Sequence, residues 1–448
     1  MLSISEAEAR VAALIERARR AGADAADALY FADASSGVQV RLGALEDVSR
    51  SEGEEIGLRF FLGRRSASVS SSDLSDEALA ALVDRAASMA REAPEDAYAG
   101  LAPEDLLMKG DTPDLDSDDG RHLPAAELKA RALATEDAAR AVPGVTNSEG
   151  AGIGAGRTII ALATSHGFCR GYATSHYSGS ASVVAGAGGD MQRDYAFHNV
   201  RHYEDLDDPG TIGREAGERA VARLDPAKLP SGTMPVVFDP RVGTSLIGHL
   251  LGAITGPAIT RRTSFLLDHE GKQIFAPGIT ILDAPHRPRG LRSRPFDGEG
   301  LPTRGTELIA DGVLTGWLLD SASARQLGRA PTGHAARGAG GPPGAGATNV
   351  HLAPGPVSKD DLIADIGSGL YVTELIGQGV NPVTGDYSRG ASGFIVENGR
   401  IGPPVAEITI AGNLLDMFRN LAAADDLEYR RAVNVPTLRV DGMMVAGA

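Results

Sequence analysis

From the start of the chain, apolar residues recur at helical spacing at Ala9, Ala12, Ala13, Ile15 and Ala18, against a polar remainder rich in Glu and Arg. Ser5 followed by Glu8 predicts a capping box opening this helix, and Gly22 its end. The pattern then changes to alternation, through 28–31 and 38–42 and again through Ile56, Leu58 and Phe60 to Val69, with Gly63 as a turn. That alternation predicts antiparallel strands. Ser75 caps a second helix whose inner face carries Leu79, Leu82, Val83, Ala86 and Met89, and Pro94 lies just past its end.

Over 96–123 the periodicity is lost in a Pro-, Asp- and Gly-rich stretch, apolar only at 106–108, which predicts a linker. The earlier order then returns: a helix over 123–141, strands around 158–164 and 169–184, and a helix over 211–224. A diverged duplication is expected from that order of elements. From Leu229 onward, short β-type runs at 234–238, 278–282, 312–319, 370–375 and 393–397 are separated by Gly and Pro. The expected class is α+β, with two N-terminal units of helices and antiparallel strands (1–95 and 124–228) followed by a β-rich C-terminal domain, 229–448. The segment 335–347 has almost no side chains with which to fill a core and is expected to be a mobile surface loop.

A chain of 448 residues is long enough for more than one core. Lys and Arg total 43 against 59 Asp and Glu, a formal charge of −16 that argues against a nucleic-acid partner. Residues 1–20 lack the basic start and unbroken apolar run of a signal peptide, and no window is long and apolar enough for a membrane span, so a cytoplasmic protein is expected. A single cysteine, Cys169, excludes an internal disulfide and a multi-thiolate metal site and reads as a free buried thiol.

The residues alone yield no catalytic set. Of ten histidines only His198 and His202 stand four apart, in a stretch reading as strand and turn with no glutamate beside them, so a solvated pair is expected there instead of a metal site. No G-x-S-x-G elbow occurs, and Ser392 has no base near it in sequence. The glycine run 150–156 (GAGIGAG) resembles a phosphate cradle but lacks the Lys-Ser/Thr that would follow one, and reads as a bulged or turning strand. Asp and Glu are too many and too scattered for a catalytic pair to be picked out.

Several dense stretches nevertheless resemble the TldD/PmbA family, first called modulators of DNA gyrase: 261–277 (RRTSFLLDHEGKQIFAP), 294–303 (RPFDGEGLPT), 311–328 (DGVLTGWLLDSASARQLG), 370–399 (LYVTELIGQGVNPVTGDYSRGASGFIVENG) and 404–420 (PVAEITIAGNLLDMFRN). The resemblance extends over the whole chain, more weakly at 45–63 (LEDVSRSEGEEIGLRFFLG). In that family the TldD half carries an H-E-x-x-x-H helix and a distal cysteine that bind zinc, and the TldE half lacks them. Here the three helix positions fall on Gly248, His249 and Ala253, and Cys169 lies far before the place a cysteine ligand needs. The resemblance therefore implies a TldE/PmbA-type chain with no metal and no cofactor of its own, paired with a TldD-like zinc subunit in a peptidase acting on unfolded or precursor peptides.

Within 370–399 the polar cluster Asn381, Thr384, Asp386, Tyr387, Ser388 and Arg389 is the candidate peptide-binding set, by edge pairing to an extended substrate. The competing reading has Asp386 and Arg389 pairing locally to shape a turn. Other readings remain open on sequence: an autonomous metallopeptidase with an unfamiliar site, a regulatory peptide-binding or gyrase-modulating protein, and a homodimer built on the surface used for the heteropair.

Overall fold

The computed structural model describes residues 1–447. The N-terminal half is one antiparallel sheet. It starts with helix α1 (Ile4–Arg20), strands β1 (Ala25–Arg41), β2 (Ala44–Leu62) and β3 (Arg65–Ser71), and helix α2 (Asp76–Glu92). After the linker the order repeats as α3 (Ala125–Arg140), β4 (Val145–Thr164), β5 (Cys169–Ala185), β6 (Gln192–Val200) and α4 (Pro209–Ala222). The two units join through β1 and β4, paired from Asp27↔Thr164 to Val40↔Ala151, so that the strand order β3-β2-β1-β4-β5-β6 reads outward symmetrically from that seam.

Side-chain parity explains how both helix pairs are accommodated. Ala28, Tyr30 and Ala32 of β1 pack with α1 and α2, while Val38 and Val40 of the same strand pack with α3 and α4. These positions share parity, so both pairs cover one face of the sheet at opposite ends of its long strands. Leu29 and Leu162 point the other way, against Phe296, Leu301 and Leu107. That second face is where the C-terminal half docks.

Helix α1 begins two residues earlier than its sequence indicates: Ser3, not Ser5, is the N-cap, and Glu6 completes the capping box. The buried face accordingly becomes Ala7, Val11, Leu14, Ile15 and Ala18. Gly22, at φ +93°, does end the helix. In α2, Met89 is half exposed and Ala87 and Ala90 are buried instead.

The C-terminal half contains, besides four short helices, β7 (Gly232–Phe238), helix α5 (Pro240–Ala253), and strands β8 (Ile281–Asp283), β9 (Thr306–Ala310), β10 (Val313–Leu314), β11 (Ala335–Ala336), β12 (Gly344–Ala345), β13 (Val350–Leu352), β14 (Ser368–Ile376), β15 (Asp386–Glu397), β16 (Arg400–Asn413), β17 (Leu421–Ala423), β18 (Val433–Asn434) and β19 (Leu438–Ala446). The order β16-β15-β14-β7-β19, closed by pairing of β16 with β19, makes a barrel, and β10-β9-β8-β13-β18 form a second sheet beside it. Phe275 and Phe418 stack at 4.4 Å in the shared core. The runs at 278–282 and 312–319 are mostly not strand. Trp317, Leu318 and Leu319 are apolar because they are buried in a loop, and a short apolar run does not distinguish the two cases.

The segment 335–347 is not a free loop. It forms the small hairpin of β11 and β12, buries Ala335 and Ala339, and sends Arg337 into an ion pair with Asp27 on β1. Gly57 of β2 is what lets its backbone lie against the sheet: a Cβ there would stand 1.8 Å from the Ala339 carbonyl oxygen. Gly57→Ala is therefore expected to lose about 1–3 kcal/mol in urea unfolding and to expose 337–341 to protease; unchanged stability and cleavage would disprove the close docking.

Candidate functional site

Helix α5 begins at Asp239, whose side chain accepts a hydrogen bond from the Arg241 N–H, with Pro240 in the first turn. Its apolar stripe, Leu246, Ile247, Leu250 and Ala253, packs into the barrel core. The opposite side carries Arg241, Ser245, Gly248, His249 and Gly252. A Cβ on Gly248 or on Gly252 would meet nothing within 4 Å, so this part of the helix is bare and open.

Of the three family positions, Gly248 is exposed, His249 half-buried and Ala253 buried. The His249 Nε2 is buried without a hydrogen-bond partner, and the ring lies edge-on to Tyr387 at 6.1 Å. Burial, and then the nearby Arg389 guanidinium, push the imidazole below its ordinary pKa, which favours the neutral ring. One imidazole beside a cation, with no carboxylate, is not the donor set zinc takes. Among the described residues no three of His, Cys, Asp and Glu converge as metal ligands.

The six candidate peptide contacts divide between two environments. Asn381, Thr384 and Asp386 build a turn: Asn381 accepts from the Val383 N–H, the Thr384 hydroxyl donates to Asp386 at 2.7 Å, and Asn413 donates to the other Asp386 oxygen. These bonds hold the Asp386 carboxyl below its usual pKa. Along β15 exposure alternates, with Asp386 and Ser388 outward and Tyr387 and Arg389 inward. Asp386 and Arg389 thus lie on opposite faces and do not pair; the turn forms with Thr384 and Asn413 in place of Arg389.

On the inward side Arg389 lines a cleft of about 360 Å³ together with Arg193, Asp194 and Tyr195 of β6, Arg241 and Ser245 of α5, and Thr373 and Glu374 of β14. Arg241 holds Asp194 through both of its oxygens, and Arg223 bridges Asp194 and Glu374. The Thr373 hydroxyl, the Tyr387 hydroxyl and the Arg389 Nε are buried without hydrogen-bond partners. Arg389 stands close enough to the phenol to favour its ionised form, yet burial dominates and pushes the Tyr387 pKa up to about 12. Thr373 had no signal in the sequence, since its role depends on the bulge between Val372 and Glu374 that turns it into the cleft.

The remaining sequence candidates serve the fold. His198 and His202 are buried and diverge, the first to Asp207 and the second to the Asp116 carbonyl, so they are neither a metal pair nor a solvated one. Ser392 is buried within β15. The run 150–156 lies in β4, where Gly150 adopts φ +112° beside a bulge and a Cβ on Gly156 would stand 2.3 Å from the His176 ring. The Cys169 thiol donates to the Glu8 carbonyl, and burial raises its pKa.

Comparison with known proteins places this architecture. Three family models match in series: PmbA/TldA metallopeptidase domain 1 at 26–90, the central domain at 118–224 and the C-terminal domain at 231–447. The chain is 41% identical over 412 residues to the Escherichia coli O157:H7 protein called Metalloprotease PmbA, covering 92% of this chain and 89% of that protein. It is 38% identical over 452 residues to a Metalloprotease PmbA homolog of Haemophilus influenzae, covering 100% of this chain and 98% of that protein. A crystal structure from Bacteroides thetaiotaomicron, described as a candidate modulator of DNA gyrase, superposes with a TM-score of 0.91 at 26% identity over the full length of both chains. The matched models run along nearly the whole sequence, and the chain belongs to the PmbA/TldD metallopeptidase family.

Proposed function

We propose that this chain is the metal-free, TldE-type subunit of a cytoplasmic peptidase, pairing with a TldD-like zinc subunit to enclose unfolded or precursor peptides and supplying chamber wall and substrate contacts. The observation that carries the reading is α5: where a zinc helix needs two imidazoles and a carboxylate, it presents Gly248, His249 and Ala253, with Arg389 as the neighbouring charge. The name metalloprotease carried by the relatives then refers, for this chain, to the activity of the pair. The six residues from Asn381 to Arg389 are its proposed peptide contacts; because β15 is already paired there with β16 on one side and 379–381 on the other, edge pairing is not open to it, and the contacts are made by the outward side chains of Asp386 and Ser388 and by Arg389 in the cleft beside Tyr387.

The test mixes the purified chain with a TldD-like subunit from the same cell. A stable heterodimer that cleaves an unstructured peptide is expected, with zinc in the mixture and less than about a tenth of an equivalent in this chain alone. Cleavage or one equivalent of bound zinc in the isolated chain would favour an autonomous metallopeptidase. Failure to associate would refute the pairing.

A further inference from the structure

Arg389 is 9% exposed and, among the described residues, takes part in no ion pair. A guanidinium that deep is normally paired, because removing it from water without a counter-charge is strongly unfavourable. The two carboxylates of the same cleft are already engaged, Asp194 by Arg241 and Arg223, Glu374 by Arg223. A second polar atom of the cleft wall, the Thr373 hydroxyl, is buried without a partner, and the Tyr387 hydroxyl, two residues back on the same face of β15, has Arg389 as its polar neighbour. Buried polar atoms are almost always hydrogen-bonded, so an unpaired guanidinium beside an orphaned hydroxyl describes a site lacking its ligand.

We propose that the cleft between α5, β15 and β6 binds a carboxylate, with Arg389 supplying the charge and Thr373 a neutral hydrogen-bonding group, and that this carboxylate belongs to the peptide substrate. The proposal rests on the reading of the chain as a peptide-handling subunit. A single unpaired guanidinium matches a monoanion and presents the planar fork that a carboxylate fits. Asp194 and Glu374 in the same walls disfavour a dianion such as a phosphate monoester. The cleft of about 360 Å³ has room for a terminal residue, and the bare face at Gly248 and Gly252 leaves its approach along α5 open.

The test uses the full chain alone and reads binding, not cleavage, so it is independent of pairing and of zinc. N-acetylated trialanine with a free carboxylate, its C-terminal amide and inorganic phosphate are titrated calorimetrically and by thermal shift. The acid is expected to bind at least about tenfold more tightly than the amide and than phosphate, the difference made by charge-assisted hydrogen bonds. Arg389→Gln should abolish that preference while leaving the ligand-free Tm unchanged or higher, since an unpaired buried charge is removed. Thr373→Val, which keeps the shape and removes the hydroxyl, should weaken acid binding by about threefold or more. Equal binding of acid and amide, binding of phosphate alone, no binding of any probe, or a fall in ligand-free Tm in Arg389→Gln would overturn the proposal.

Discussion

Asp27→Ala is expected to lose about 3–5 kcal/mol of stability, one of the two largest effects anticipated for a single substitution in this chain. Asp27 is 1% exposed on β1, directly across from Arg59 on β2, which holds one carboxylate oxygen, while Arg337 holds the other at 2.6 Å. The Arg337 side chain is itself 1% exposed, with Nε and one Nη lacking any other partner. Removing the carboxylate strands two guanidiniums inside the protein, and the uncompensated charge, more than the lost bonds, sets the size of the effect. Burial works to raise the Asp27 pKa, but Arg337 and Arg59 outweigh it and hold the carboxyl below its ordinary 3.8. The contribution is thus complete above that value and lost as pH falls through the lower folded one. Urea unfolding at neutral pH checks the magnitude, and a loss below about 1 kcal/mol would mean that water reaches the network. Asp27→Leu combined with Arg59→Met and Arg337→Met should recover much of the loss, because apolar side chains of similar volume replace all three buried charges.

That ion pair joins segments whose meeting no local sequence pattern encodes. The repeated order of helix, strands and helix was legible because Leu79, Leu82, Val83 and Ala86 keep a helical period and Ile56, Leu58 and Phe60 keep a strand period, while β6 was not among the strands expected in the second unit. The first half of β2, exposed throughout, was not legible, since it is the outermost strand there, β3 pairing only with 56–62, and it has no buried face to impose alternation. The docking of 335–347 was invisible for a different reason. Its contacts are a carbonyl against Gly57 and an arginine whose partner lies 310 residues away, neither of which leaves a local pattern.

The site divides the same way. Gly248, His249 and Ala253 were located through family resemblance, and the helix that carries them is present as α5. Arg389 was named as a candidate for its charge, but its lack of a counter-ion is a property of three dimensions. Its nearest acidic candidate in sequence, Asp386, points away from it along β15, while the acids that share its cleft come from β6 and β14 and are already taken.

Glu299 should make stability fall with rising pH, against the usual behaviour of a paired carboxylate. It lies in the 294–303 stretch, 3% exposed, accepting the Ser321 N–H at 2.8 Å where the short helix Ser321–Leu327 begins. Burial, reinforced by the neighbouring Asp297, pushes its pKa up to about 7, with Arg59 and Ser321 only partly opposing. The folded value exceeds the unfolded value of about 4.5, so between the two the folded state holds a proton that the unfolded state has released. Stability from this group is therefore complete below the unfolded value and declines as pH rises toward 7, by roughly 3 kcal/mol in total. Glu299→Gln keeps an oxygen for the Ser321 N–H and removes the titration. The variant is expected to gain on the parent by about that amount between pH 5 and pH 8 in paired urea titrations, other titrating groups cancelling in the difference. Parallel curves for the two proteins would place the Glu299 pKa near its ordinary value and make the buried charge, not the proton, the native state at neutral pH.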